Sequence, residues 1–320
     1  MELLKAITMS VRLRLSGRLV LLVPILIACH VSAQQSPGTC LQQTIPLAIS
    51  ENPNAAKLES KDISVTVEGH PVSVVSLRQD NLAPRIVLLV DTSGSMAQEN
   101  GSGWGPGLFL SGFAFDAVPE NSSVALGTFT DEAHFSGLEE RNAIGQRLLA
   151  LKDIRPRGRT ALYSAIEKTI SLLNPPQPGD AIFIVSDGGD DAGDASEKTV
   201  QDELIESGIR VFVFLVKHLR KTEAEGQGEL SLPDLARMTG GSSIQPQPGS
   251  PWFKDMAAME LTLKAIRAQV QNSYWLDLQL QSAQPKPARL KITSTTKGLQ
   301  LAYPYYIEPC GSSSETRVAK

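Results

Sequence analysis

Cysteine is scarce in this chain: three in 320 residues, Cys29, Cys40 and Cys310. None falls in a C-x-x-C pair, so the dithiol redox motif is absent. His70, His134 and His218 are scattered with no two at ligand spacing, which reads as surface or packing histidine rather than a zinc site. The chain also lacks G-x-S-x-G, G-x-x-x-x-G-K-[ST] and H-E-x-x-H. A nucleophile elbow, a nucleotide-phosphate loop and a zincin helix are therefore excluded. With a net charge of −4, a pI near 5.7 and no run of basic residues, it carries no electrostatic footprint for nucleic acid. No internal repeat is visible.

What is present fits a globular chain, with 42% apolar and 20% charged residues. The length allows one large domain and a smaller one. The longest purely apolar stretch lies near the N-terminus, Leu19 to Ala28, preceded by Lys5, Arg12, Arg14 and Arg18 and followed by Val31-Ser32-Ala33. It is shorter than the roughly 20 residues a spanning helix needs, so residues 1–33 read as a secretory signal. Two other readings stay open. One is an uncut signal anchor. The other is lipoprotein processing at Leu26-Ile27-Ala28-Cys29, which resembles a bacterial lipobox and would make an acylated Cys29 the membrane contact. Export places the mature chain in an oxidising compartment (periplasm, envelope or medium), and Cys40 and Cys310 are then expected to form a disulfide.

The stretch Arg85-Ile86-Val87-Leu88-Leu89-Val90-Asp91-Thr92-Ser93-Gly94-Ser95-Met96 organises the rest. Its apolar run, β-branched in part and ended by a turn, reads as a buried central strand. Ligands in open α/β sheets bind beyond the carboxyl ends of such strands. Asp91, Ser93 and Ser95 alternate, so a loop that curls back aims three oxygens at one point, and Gly94 permits the tight turn. Oxygen-only donors suit a hard divalent cation such as Mg2+.

Asp91-x-Ser93-x-Ser95 resembles the D-x-S-x-S of the von Willebrand factor type A (VWA) domain. In that family a Thr from a second loop and an Asp from a third complete a metal-ion-dependent adhesion site. Thr160, in Gly158-Arg159-Thr160-Ala161-Leu162, and Asp187, after Ile182-Phe183-Ile184-Val185-Ser186, stand in matching contexts. The resemblance implies an α/β fold with a doubly wound, mainly parallel, Rossmann-like sheet. It implies Mg2+, with Mn2+ or Ca2+ as substitutes, held by Asp91, Ser93, Ser95, Thr160 and Asp187. It further implies an open coordination position that accepts an Asp or Glu from a partner protein. The motif's two carboxylates balance a divalent ion, and it contains no third acid. Trp104, beside the first loop, is either a rim residue that touches ligand or a cover over the first helix; Arg159 belongs to the same rim.

Along the chain, residues 34–81 form a β segment with a hairpin from Ile63–Val67 to Val72–Leu77, turned at Gly69-His70-Pro71. It loosely resembles the lead-in of secreted bacterial VWA-related proteins. Residues 82–272 alternate strand and helix, as βαβ units do. Helices are expected over 108–118, 138–151, 161–173, from Asp194 onward, 232–238 and 253–270. The third carries a stripe of Leu162, Ile166, Ile170 and Leu173. Asp190, Asp191 and Asp194 lack the EF-hand pattern and read as a solvated face with a helix cap. Residues 273–310 return to β alternation and are expected to pair with the N-terminal β segment in a small sandwich-like unit, ahead of a disordered tail at 311–320. No enzyme is expected. Asp91 lacks the D-x-D of haloacid-dehalogenase-type phosphoryl transfer, since Ser93 stands second. Against an adhesion-type module stands one alternative, a structural VWA scaffold of an envelope assembly with no metal-dependent binding.

Overall fold

The structure is a computed structural model of the chain and describes residues 41–51, 58–79, 82–97, 104–216, 223–245, 256–307 and 309. The signal segment with Cys29, the Cys40 and Cys310 pair and the tail at 311–320 lie outside the described residues.

Three strands come first: β1 (Gln42–Glu51), β2 (Ile63–Val67) and β3 (His70–Arg78). An α/β body follows with β4 (Arg85–Asp91), α1 (Gly105–Asp116), β5 (Ser123–Phe129), β6 (Ala133–Phe135), β7 (Glu139–Glu140), α2 (Arg141–Ala150) and α3 (Leu162–Leu172). It continues through β8 (Ala181–Ser186), α4 (Glu197–Ser207), β9 (Arg210–Leu215), α5 (Glu223–Met238), β10 (Ser243–Ile244) and α6 (Met256–Gln271). The chain then returns to strands, β11 (Ser273–Gln279), β12 (Ala288–Ser294), β13 (Gln300–Ala302) and β14 (Tyr306–Ile307).

In the body the strand order is β10-β9-β8-β4-β5-β6, with β7 also on β5. Pairing is parallel from β10 through β5 and antiparallel only for β6 and β7, two short edge strands the sequence did not announce. The apolar run of β4 explains why this sheet is covered on both faces. Ile86, Leu88 and Val90 point to one side, against Leu110 and Phe113 of α1, Ile144 of α2 and Ile266 of α6. Val87 and Leu89 point to the other, against Leu162 and Ile166 of α3, Val200 of α4 and Leu232 of α5. A strand whose residues alternate between two buried faces must be apolar throughout.

The order of connection places the site. From β4 the chain moves one way to β5 and the other way to β8, so the switch point lies between β4 and β8, whose register aligns Val90 with Val185. Their carboxyl ends deliver Asp91 and Ser186 side by side, and the crevice at such a point is where α/β sheets bind ligands.

The flanking strands pair in one order, β13-β1-β11-β3-β2-β12-β14, around a single core that includes Leu47, Val65, Leu276 and Leu290. The two flanking segments pair with each other as one hydrogen-bonded series, β3 joining the β11 side to the β2 side, and its far strands β12 and β13 approach each other around the core. The C-terminal β segment closes with two short strands, β13 and β14. Helix α5 begins at Glu223, upstream of the expected 232–238, although it contains Gly226, Gly228 and Pro233. Those residues disfavour helix locally, and the packing of the segment overrides them. The cap of α4 is Ser196, whose Oγ accepts from Thr199 N at 3.1 Å, and not Asp194.

Candidate metal centre

Asp91 ends β4 and is fully buried. Its Oδ1 accepts from Ser93 N at 2.8 Å and its Oδ2 from Ser186 Oγ at 2.7 Å. The first bond is an Asx turn, in which a carboxylate mimics a backbone carbonyl and reverses the chain two residues on. The reversal leaves Ser93 buried, with its Oγ 3.0 Å from Ser95 Oγ. A short 3-10 turn over Gly94–Met96 then seats Met96 in the core beneath the loop.

The three loops are stitched together by backbone. Gly94 N donates to Gly158 O at 3.0 Å, and Arg157 N donates to Thr92 O at 3.0 Å. A Cβ on residue 94 would stand 3.1 Å from Gly158 O, a tight approach that shows how closely the first two loops abut. Thr160 is tied to the third loop: its N donates to Asp191 Oδ1 at 2.7 Å, and its carbonyl accepts from Asp191 N and Ala192 N, each at 2.9 Å. In the third loop Asp187 Oδ1 accepts from Gly189 N at 3.1 Å, another Asx turn. Ser186 Oγ closes the ring by donating to Asp91 while accepting from Gly188 N at 3.0 Å. The point where a Cβ on Gly189 would sit lies 3.5 Å from Asp187 Oδ1 and 3.9 Å from Thr160 Oγ1. The absence of a side chain there keeps the space between those oxygens open.

Electrostatics favour a cation in that space. Burial, and then the charge of Asp187, push the Asp91 carboxyl up to about 7, against the bonds from Ser93 and Ser186 that pull it down. Two neighbouring acids, one wholly buried, are costly unless neutralised or bound to a metal. The side chains these loops bring together are oxygen donors: two carboxylates and the hydroxyls of Ser93, Ser95 and Thr160. That donor chemistry fits a hard divalent cation.

No protein-family model matches the chain, and no curated protein does. Solved structures resemble it at low identity. A von Willebrand factor type A protein from Catenulispora acidiphila is 10% identical, with 83% of this chain and 73% of that one covered and a TM-score of 0.46. BatB from Bacteroides thetaiotaomicron is 17% identical, with 57% and 98% covered and a TM-score of 0.41. The proximal thread matrix protein 1 of the mussel byssus, solved with a zinc-occupied MIDAS motif, is 17% identical, with 62% and 48% covered and a TM-score of 0.45. Likeness at this level says nothing of chemistry. The strand order and the D-x-S-x-S turn stitched to two further loops are features of this chain itself.

Around the loops, Trp104 packs partly buried against the core and its Nε1 donates to Leu151 O at 2.9 Å. Its ring lies 2.8 Å from where a Cβ on Gly107 would stand, which explains the glycine in the first turn of α1. Arg159 is exposed, 3.7 Å from Asp191 Oδ2, while its backbone N donates to Asp131 Oδ1 at 2.9 Å. Asp190 and Asp191 do more than face solvent. Asp190 Oδ1 accepts from Tyr163 N at 3.3 Å and Asp191 holds Thr160, so both secure the entry to α3, and burial raises the Asp190 carboxyl.

Two features of the α/β body were not expected from the sequence. Arg155 and Arg157, exposed with Arg159 on the second loop, line a cleft of about 470 Å3 with Thr92, Thr130 and Asp131. The alternation Arg155-Pro156-Arg157-Gly158-Arg159 was its sequence signal. Glu225, in the first turn of α5, is 7% exposed, and its Cγ lies 3.6 Å from the same Gly189 Cβ point. Nothing in the sequence links it to the motif.

Proposed function

We propose that this chain is an exported, metal-dependent protein-binding module of the adhesion type. Its VWA-type body, residues 82–272, lies between β segments at 34–81 and 273–310. Ser93, Ser95 and Thr160 hold Mg2+, with Mn2+ or Ca2+ as substitutes, and Asp91 and Asp187 supply the balancing charge directly or through water. The ion offers a vacant position to a carboxylate from a partner protein. Periplasm, envelope surface and medium all fit an exported binder.

The observation that carries this reading is the convergence of the three loops on a crowded, buried pair of carboxylates, where burial and the Asp187 charge push the Asp91 carboxyl up to about 7. The exposed Arg155, Arg157 and Arg159 beside it support an acidic partner, since a positive rim steers and orients negative ligands. A scaffold that binds without metal is the competing reading, and it gives the burial of Asp91 at the meeting point of the loops no role.

Calorimetric titration with Mn2+ or Mg2+ tests the site. Asp91→Ala should weaken binding by at least about a hundredfold, beyond what loss of an outer partner usually costs, with the far-UV spectrum unchanged. Equal affinity in wild type and variant would refute the assignment. Capture of envelope proteins that chelator reverses for wild type and that Asp91→Ala abolishes would separate the adhesion reading from the scaffold.

A further inference from the structure

A cleft of about 690 Å3 lies between the end of α5 and the outward face of the β2–β12 pair. Arg237, Arg289 and Lys291 line it, with Thr66, Tyr303 and Tyr305. Among the described residues that line it there is no acid, although acids outnumber Lys and Arg by 34 to 30 in the whole chain. Strand alternation brings two of the cations together. Ala288, Leu290 and Ile292 of β12 face the core, so Arg289 and Lys291 both point outward, and Thr66 stands opposite Lys291 in the register. Among the described residues no ion pair or side-chain hydrogen bond engages either cation. Arg237 reaches in from the last turn of α5, over the Tyr305 ring at 5.0 Å and with Nη2 on Asp234 at 2.8 Å. Of the other acids close in sequence, Glu68 accepts through Oε1 from the Arg289 backbone N at 2.5 Å. The negative end of the helix is muted. Gly241 N donates to Ala236 O at 2.8 Å and Gly240 N to Arg237 O at 3.2 Å, the glycine-closed pattern that occupies the last carbonyls. The walls are also preset. A Cβ on Gly240 would stand 2.7 Å from Tyr303 C, and Tyr305 O accepts from Leu290 N at 2.9 Å, so backbone contacts fix the cleft's width.

We propose that this cleft binds a ligand carrying two or more phosphate groups, apart from the metal loops and without their ion. An arginine fork matches phosphate oxygens two at a time, and a lysine adds a point charge. The hydroxyls of Thr66, Tyr303 and Tyr305 can donate to the oxygens left over. A concave wall of one sign also focuses the field and raises the local concentration of anions. The spacing selects for more than one group. The Cα atoms of Arg289 and Lys291 lie about 7 Å apart along the strand, and Arg237 comes from the opposite wall. One isolated phosphate therefore reaches only part of the set, whereas linked phosphates span it.

Tripolyphosphate serves as the probe, titrated calorimetrically into the full chain after a chelating resin has removed divalent ions, so the outcome is independent of the metal site. Arg289→Gln and Lys291→Gln should each weaken binding about tenfold, the lower end of what one hydrogen bond between charged groups contributes. Both side chains are exposed, so urea unfolding of the two variants should match wild type. Arg289→Lys keeps the charge without the fork and should fall between wild type and Arg289→Gln. Inorganic phosphate should bind at least about tenfold more weakly than tripolyphosphate, because it engages fewer of the cations at once. Lys168→Gln, exposed on α3, should bind as wild type does. Three results overturn the proposal: no binding by wild type, equal binding in wild type and both cleft variants, or a loss in Lys168→Gln as large as in Lys291→Gln. The last would reduce the effect to net charge. Phosphatidylglycerol vesicles separate two sources of the same chemistry. Co-sedimentation that the Arg289→Gln, Lys291→Gln double variant loses puts the phosphates on a lipid surface; tripolyphosphate binding without co-sedimentation puts them on a soluble or polymeric anion.

Discussion

Gly228→Ala is the substitution on which the geometry speaks most directly. In an isolated helix it would stabilise, because alanine is favoured over glycine by about 1 kcal/mol at an interior helical position. Here the new methyl would stand 1.7 Å from Gly188 O and 2.3 Å from Gly188 C. A carbon needs about 3.5 Å from such atoms, so helix or loop must withdraw by well over about 1 Å. Overpacking a core typically costs about 1–3 kcal/mol, and with backbone on both sides no side chain can rotate away, which puts the cost at the upper end. Set against the helical gain, the net loss is about 2 kcal/mol. Because Gly188 follows Asp187, the displacement also reaches the metal loop, and Mn2+ affinity should fall about tenfold. Gly226 lies in the same helix with nothing within 4 Å of its Cβ position, so Gly226→Ala should stabilise by about 0.5–1 kcal/mol. Urea unfolding of the two variants beside wild type, with Mn2+ calorimetry on each, decides the matter. A neutral Gly228→Ala, or shifts of the same sign in both variants, would refute the close approach of α5 to the Asp187 loop.

Arg85 Nε and Nη2 grip Asp180 at 2.9 and 2.6 Å, and the Asp180 side chain is only 1% exposed. Arg85→Ala leaves that acid buried without its main partner and should cost about 3 kcal/mol in urea unfolding; a loss below about 1 kcal/mol would mean that the neighbouring Arg210 suffices. Asp277 accepts from both Arg78 and Thr44, and these bonds, Arg78 foremost, hold its carboxyl down at about 2 from an ordinary 3.8. Its contribution is therefore complete above pH 3.8 and is lost as pH falls toward about 2. Discounted for solvent screening, this amounts to about 1 kcal/mol. Acid titration of stability should show that loss in wild type and its absence in Asp277→Asn.

The motif was legible because its chemistry is local. Asp91, Ser93 and Ser95 fall within five residues, and each strand that delivers a donor is apolar throughout, a pattern only a two-sided buried sheet produces. Helix α3 was legible for the same reason: Leu162 and Ile166 mark its buried face. Glu225 was invisible because its place depends on contact between two glycines far apart in sequence, and on a helix whose own residues argue against helix. Strand β6 was missed because three residues at a sheet edge carry too little periodicity to register. The flanking strands could be recognised singly, but the alternation of β12 fixes which residues are buried and not whether its sheet bends or doubles.

The chain leaves the β unit from β3 and re-enters it through β11, and these two strands are hydrogen-bonded neighbours with Arg78 opposite Trp275. Both outer segments of the polypeptide continue into that same sheet, β1 lying on the other side of β11. A tether at either extremity therefore hauls on one ladder, while the α/β body hangs from two adjoining struts and stays out of the line of tension. Should a docked partner tug at the loops, the strain would be shared between those struts before any metal–oxygen contact had to bear it alone.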